Sequence, residues 1–209
     1  MPTAGKLLPE PLCPRQAGNQ EETDMTSPKT HYPNASRQYP NAEPAPTAPA
    51  GVEPAFEAQL YRLAPSRVTV LLVGGTTELK RAVARALHER SPRRQQPFVV
   101  FDCRGLAPET VELGLFGGPA HAPAAAGAVQ QADAGTLYVA TIDELPLLTQ
   151  PRFLRFLDQE RNARVIASTD TDLVVHVERG HFRFDLAERL SLVELELPEG
   201  LQSVYPSGR

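Results

Sequence analysis

The stretch 68–81, VTVLLVGGTTELKR, decides the fold. Its first six residues form a continuous run of apolar and β-branched side chains, the composition of a parallel strand buried on both faces. Gly74 and Gly75 end the run, and residues 78–89 follow with Leu79, Ala82, Val83, Ala86 and Leu87 at the spacing of one helix face. Strand, glycine turn and helix frame a phosphate-binding loop of pattern G-x-x-x-x-G-K-[ST]. Its backbone N–H groups curl around phosphate, its lysine reaches the outer oxygens and its hydroxyl holds Mg²⁺. The degenerate nucleotide-binding set here is Gly74, Gly75, Lys80 and Arg81, with Gly74 and Lys80 at the right spacing. Leu79 replaces the second glycine and Arg81 replaces the hydroxyl.

Glu78 adds a negative charge to the same anion position. Repulsion between unit charges about 4 Å apart is on the order of 1 to 4 kcal/mol, depending on the local dielectric, so tight ATP binding is disfavoured. The Glu78 carboxylate is then expected at the positive end of the helix in place of phosphate. For Lys80 two readings stay open, a phosphate ligand and a solvated helix residue.

Outward from this stretch the chain alternates strand and helix. Strands are predicted at 97–102, 136–141, 163–168 and 192–197, with helices near 108–114 and 144–158. Five parallel strands between helices make an α/β sandwich. Residues 1–52 differ: many of the chain's 21 prolines lie there, aliphatic residues are few, and Tyr-Pro-Asn occurs at 32–34 and 39–41. That segment cannot bury enough apolar surface to offset its ordering entropy, so it is expected to be a disordered proline-rich tail before a core at 53–209.

The net charge of −4 gives no electrostatic argument for nucleic acid or an anionic membrane. No signal-peptide core or membrane-length apolar run is present, so a cytoplasmic location is expected. Cys13 and Cys103 have no metal-ligand or redox spacing, and Cys103 reads as a small apolar residue near a strand end. His121, His176 and His181 form no metal-ligand set, and Ser66, Ser91 and Ser168 sit in no nucleophile elbow.

Several pieces together carry a family resemblance. They are 65–88, 88–106, LGLFGG at 113–118, QQADAGTLYVATIDELPLLTQPRFLRFL at 130–157, RVIASTDTDL at 164–173 and FRFDLAERLSLVELELP at 182–198. In this order they resemble the sigma-54 interaction domain, the AAA+ ATPase core of bacterial enhancer-binding transcription activators. The resemblance implies a P-loop NTPase-like sheet. It also implies an Asp-Glu pair at the end of the third strand, where carboxylates position Mg²⁺ and polarise the attacking water.

Ala140 and Thr141 occupy those two positions, so no catalytic residue and no metal ligand is expected. Asp143 and Glu144 lie three residues beyond, past the strand end, and Asp143 is expected to cap the helix containing Pro146. The family's GAFTGA loop has no counterpart between Gly118 and Gln130. The second pre-sensor loop is expected to be missing after Leu157, and Asp170 takes the sensor asparagine position. The sequence ends at Arg209, before the helical lid and the helix-turn-helix of such activators, so neither is expected here.

Arg183 and Arg189 match the positions of arginine fingers, which stabilise charge on a transferred phosphoryl group in a neighbouring subunit. The competing reading is that they are ion-pair residues with Asp185 and Glu188 as partners. The resemblance therefore implies a regulatory or adaptor module that does not hydrolyse ATP and uses no cofactor. Its partner would be a protein such as a sigma-54 activator or its oligomer, without direct DNA binding. The alternatives are a weak ATP-binding subunit of a hetero-oligomeric regulator and a structural scaffold outside transcription.

Overall fold

The strand run beginning at residue 68 settles at Val70–Val73 (β1) in the computed structural model, which describes residues 54–118, 126–159 and 163–198. The expectations for the tail, for His121, for the residues replacing the GAFTGA loop and for those replacing the pre-sensor loop lie wholly or largely outside the described residues.

A helix, Pro54–Leu63 (α1), precedes β1, and Thr77–Glu89 (α2) follows it. Then come Phe98–Asp102 (β2), Pro108–Phe116 (α3), Ala128–Gln131 (α4) and Thr136–Ala140 (β3). The described chain closes with Gln150–Asp158 (α5), Arg164–Ser168 (β4), Leu173–Glu178 (α6), Phe184–Leu190 (α7) and Glu194–Glu196 (β5). The five strands form one sheet in the order β2-β3-β4-β1-β5, and every pairing is parallel. This is the expected α/β architecture, with β1 set between β4 and β5.

Alternation along the strands divides the core in two. Leu137 and Val139 of β3, Val165 and Ala167 of β4, and Leu71 of β1 face α3, α5 and α7. Tyr138 and Ala140, Ile166, and Val70 and Leu72 face α1 and α2. Burial on both sides explains why these strands read as unbroken apolar runs rather than alternating ones.

The predicted helix at 144–158 is broken. Residues Ile142–Glu144 form one 3-10 turn, and α5 starts only at Gln150. Pro146 supplies the reason, because its ring disfavours helical geometry at the residue before it. Leu145 accordingly adopts an extended backbone with ψ 121°. Helices α1, α4, α6 and α7 are additions to the predicted pattern.

Polar side chains pin the layers. Arg164, 1% exposed, donates from Nη1 to Ala64 O at 2.8 Å and from Nη2 to Leu63 O at 2.9 Å, so a strand residue holds the C-terminal end of α1. Burial pushes its pKa down to about 10, followed by the effect of the nearby Arg93 charge. Tyr138 Oη and Ser168 Oγ meet at 2.9 Å inside the sheet. His88 on α2 is buried, with Nδ1 2.9 Å from Thr136 Oγ1 and its ring 5.3 Å from that of Phe98.

Burial first, and then the Arg85 charge, hold the His88 pKa below its ordinary 6.5. The unfolded chain therefore takes up a proton that the folded chain resists, and the His88 contribution is complete above pH 6.5 and lost as pH falls below it. Thermal melts between pH 7 and 5 are expected to show a falling Tm, with a smaller fall in His88→Gln. An equal fall in both proteins would remove His88 as the cause.

Candidate functional site

The turn after β1 is short. Gly74 and Gly75 take positive φ values of 74° and 65°, and Thr76 follows in extended geometry. The Thr76 hydroxyl accepts from Leu79 N at 3.2 Å and its carbonyl accepts from Lys80 N at 3.0 Å. Only three residues separate strand from helix, and α2 begins at Thr77. Leu79 is 2% exposed and lies beneath the turn, with Cδ2 2.9 Å from where a Cβ on Gly75 would stand.

Glu78 stands at the positive end of α2, as expected, but its side chain makes no capping bond among the described residues. It is exposed in the first turn of α2, while the hydroxyl of Thr76 caps the helix. The carboxylate that meets Lys80 comes from across the sheet. Lys80 is 2% exposed, which rules out a solvated helix residue, and its ammonium donates to Asp170 Oδ1 and to Thr169 O, each at 2.6 Å. The other oxygen of Asp170 accepts from Arg104 Nη2 at 2.7 Å. Arg104 also donates to Thr77 Oγ1 at 2.9 Å and Thr141 Oγ1 at 3.2 Å. One carboxylate thus ties together the loop after β4, the loop after β2 and the first turns of α2.

Ala140 is the last residue of β3, buried opposite Asp102 of β2. Thr141 follows with φ 51°, a left-handed conformation that a β-branched residue rarely adopts, and its buried hydroxyl accepts from Arg104. Arg81 continues α2 as an exposed residue.

Asp143 is not a helix cap. It is 7% exposed and accepts from Thr171 Oγ1 at 2.9 Å and from Asp170 N at 3.3 Å, which orients the loop carrying Asp170. Glu144 accepts from Gly105 N at 2.7 Å, orienting the loop that carries Arg104. Thr171 Oγ1 is also 2.9 Å from His176 Nε2. The buried Cys103 thiol has its pKa raised, first by burial and then by Asp102, Glu144 and Asp143, which keeps it protonated and unreactive. Among the described residues no group of three or more His, Cys, Asp or Glu side chains is arranged to hold a metal.

Arg183 precedes α7 and donates through Nε and Nη2 to both oxygens of Asp185, at 3.0 and 2.6 Å. The hydrogen bond raises the Arg183 pKa and lowers that of Asp185. Arg189 in α7 donates to Asp158 Oδ1 and to Leu157 O, each at 3.2 Å, so its carboxylate partner comes from α5 rather than from Glu188. The structure therefore joins Lys80, Asp170 and Thr141 in one cluster and leaves Arg183 and Arg189 in separate pairs. Arg104 had no signal in the sequence beyond being a lone arginine after a strand.

A family model described as the Sigma-54 interaction domain matches residues 52–196. The chain is 37% identical over 160 residues to the sigma54-dependent transcriptional regulator SfnR of Pseudomonas fluorescens, covering 68% of this chain and 44% of that protein. It is 39% identical over 157 residues to the DNA-binding transcriptional activator HyfR of Escherichia coli, covering 67% of this chain and 23% of that one. It thus spans less than half the length of these relatives. Among solved structures, NtrX from Brucella abortus in complex with ADP is similar at TM-score 0.63 and 31% identity, over 69% of this chain and 35% of NtrX. The P-loop NTPase domain of an Escherichia coli sigma-54 activator shares the fold at TM-score 0.53 and 23% identity, over 69% of this chain and 94% of that domain. The chain belongs to the sigma-54 interaction domain family, with the parallel five-stranded sheet of AAA+ P-loop NTPases.

Proposed function

We infer that this domain regulates sigma-54-dependent transcription through protein contacts, as an adaptor without ATP hydrolysis. The observation that carries this reading is the Lys80–Asp170 ion pair, with the ammonium 2% exposed and 2.6 Å from the carboxylate. A phosphate would have to displace that carboxylate, and the displaced anion would then stand beside the incoming one. Three features support it further. The turn is only three residues long, Gly74 to Thr76, and the Thr76 hydroxyl already takes the N–H of Leu79, where a phosphate cradle needs a longer loop of converging free N–H groups. The Leu79 side chain fills the space beneath that turn. Ala140 and Thr141 carry no charge to hold Mg²⁺ or orient water.

No cofactor is needed for this role, and ATP with Mg²⁺ is not its ligand. The partner is a protein of the sigma-54 machinery, such as an activator or its oligomer, met in the cytoplasm and without direct DNA contact by this domain. Among the described residues no helix is long and apolar enough to cross a membrane.

Isothermal titration of the full chain with ATP and Mg²⁺ is expected to give no binding heat. Micromolar binding that disappears in Lys80→Ala would overturn the proposal. The combined Leu79→Gly, Ala140→Asp and Thr141→Glu variant is likewise expected to gain no ATP binding. It should instead lose stability by at least about 3 kcal/mol, through the cavity left by Leu79 and through new carboxylates in a buried position. A double-mutant cycle on Lys80→Met and Asp170→Asn should give a coupling of about 1 to 3 kcal/mol by chemical denaturation. Additive effects would deny the ion pair its structural part.

A further inference from the structure

A groove of about 610 Å³ opens beside Gly74, between the C-terminal ends of β1 and β5 and the helices α6 and α7. Its floor is apolar, built by Val73, Leu173 and Val177. On its rim Val174 is 59% and Phe184 64% exposed. Val174 and Val177 lie three apart on α6, and Phe184, Ala187 and Glu188 lie three and four apart on α7. Each helix thus turns one ridge of side chains toward the same trough, the surface against which a third helix packs.

The charged side chains that line this trough are all acidic among the described residues. Asp170 is held by Lys80 and Arg104, and Asp172 caps α6 by accepting from Val174 N at 2.8 Å. Glu188, Glu194 and Glu196 also line the groove and have no side-chain hydrogen bond or ion pair among the described residues. Glu194 and Glu196 flank the buried Leu195 on edge strand β5, so both stand on one face. No lysine or arginine lines the groove among the described residues.

We propose that this groove docks a basic amphipathic helix of a protein partner. Its apolar face packs on α6 and α7, and its Arg or Lys side chains lay their hydrocarbon stems over Val174 and Phe184. The cationic heads then reach Glu188, Glu194 and Glu196. Such cations relieve mutual repulsion among the three carboxylates, and charge complementarity sets the direction of approach. This site rests on the contact-based reading given above. ATP turnover would end that reading and leave groove binding unaffected, so the two fail separately.

The test uses the full chain and a fluorescent synthetic helix of about eighteen residues with one Leu/Ala face and one Arg/Lys face. An acidic version and a scrambled basic version serve as controls. Anisotropy is expected to show at least about tenfold tighter binding of the basic amphipathic helix than of either control. Combined Glu188→Gln, Glu194→Gln and Glu196→Gln should weaken it about tenfold or more, with the thermal melt confirming a folded protein. Combined Val174→Ser and Phe184→Ser, away from the charges, should weaken it as well. Equal binding of the scrambled or acidic peptide overturns the proposal, as does binding unchanged in the glutamine variant. Sedimentation that reveals self-association abolished by the same glutamines would place a second copy in the groove and overturn it too.

Discussion

Burying an ammonium ion sets the constraint on which this site depends. A charge removed from water costs several kcal/mol unless a partner and hydrogen bonds meet it, and removing one member of such a pair leaves the other stranded. Lys80 meets the requirement with one carboxylate and one carbonyl. Because Asp170 sits on the loop after β4, the pair closes α2 onto a strand 90 residues away. Arg104 then shares the same carboxylate, which fixes a third loop. The geometry around β1 is therefore a consequence of satisfying one cation from inside the chain.

The surrounding residues follow from that closure. Asp143 accepts from the backbone of Asp170, and Glu144 accepts from the backbone of Gly105, so each loop bearing an ionic partner has its own acidic anchor. Thr141 holds an unfavourable left-handed backbone while its hydroxyl meets Arg104. Strain of this kind persists where neighbouring contacts over-determine the position. Carboxylates near a nucleotide-fold turn thus serve here to orient loops.

The central strands are legible because burial on both faces leaves unbroken apolar runs around Leu71, Val139 and Ile166, while edge strand β5 shows instead the alternation of Glu194, Leu195 and Glu196. The short helices were less visible. The α6 sequence LVVHVE is rich in β-branched residues and favours strand by propensity, and packing of Leu173 and Val177 on the core, with the Asp172 cap, holds it helical. Pro146 suits a helix start as well as an interruption, and the residues around it do not separate the two. Within the site, P-loop spacing points to Lys80 and the family resemblance points to Ala140, Thr141 and Asp170, whereas the meeting of Asp170 with Arg104 depends on the order of strands. Local pattern carries no information on which loops the sheet brings together, so nothing near Lys80 in sequence points to Asp170 as its partner.

Arg164 has a wider consequence for how the domain comes apart. Its guanidinium is buried, with no partner for Nε among the described residues and both Nη groups bonded to the carbonyls that end α1. Peeling α1 away would strand a cation in the interior at the start of a central strand. The peripheral helix and the sheet are thus coupled into one cooperative unit, and fraying at the amino-terminal side of the fold is transmitted directly to its centre.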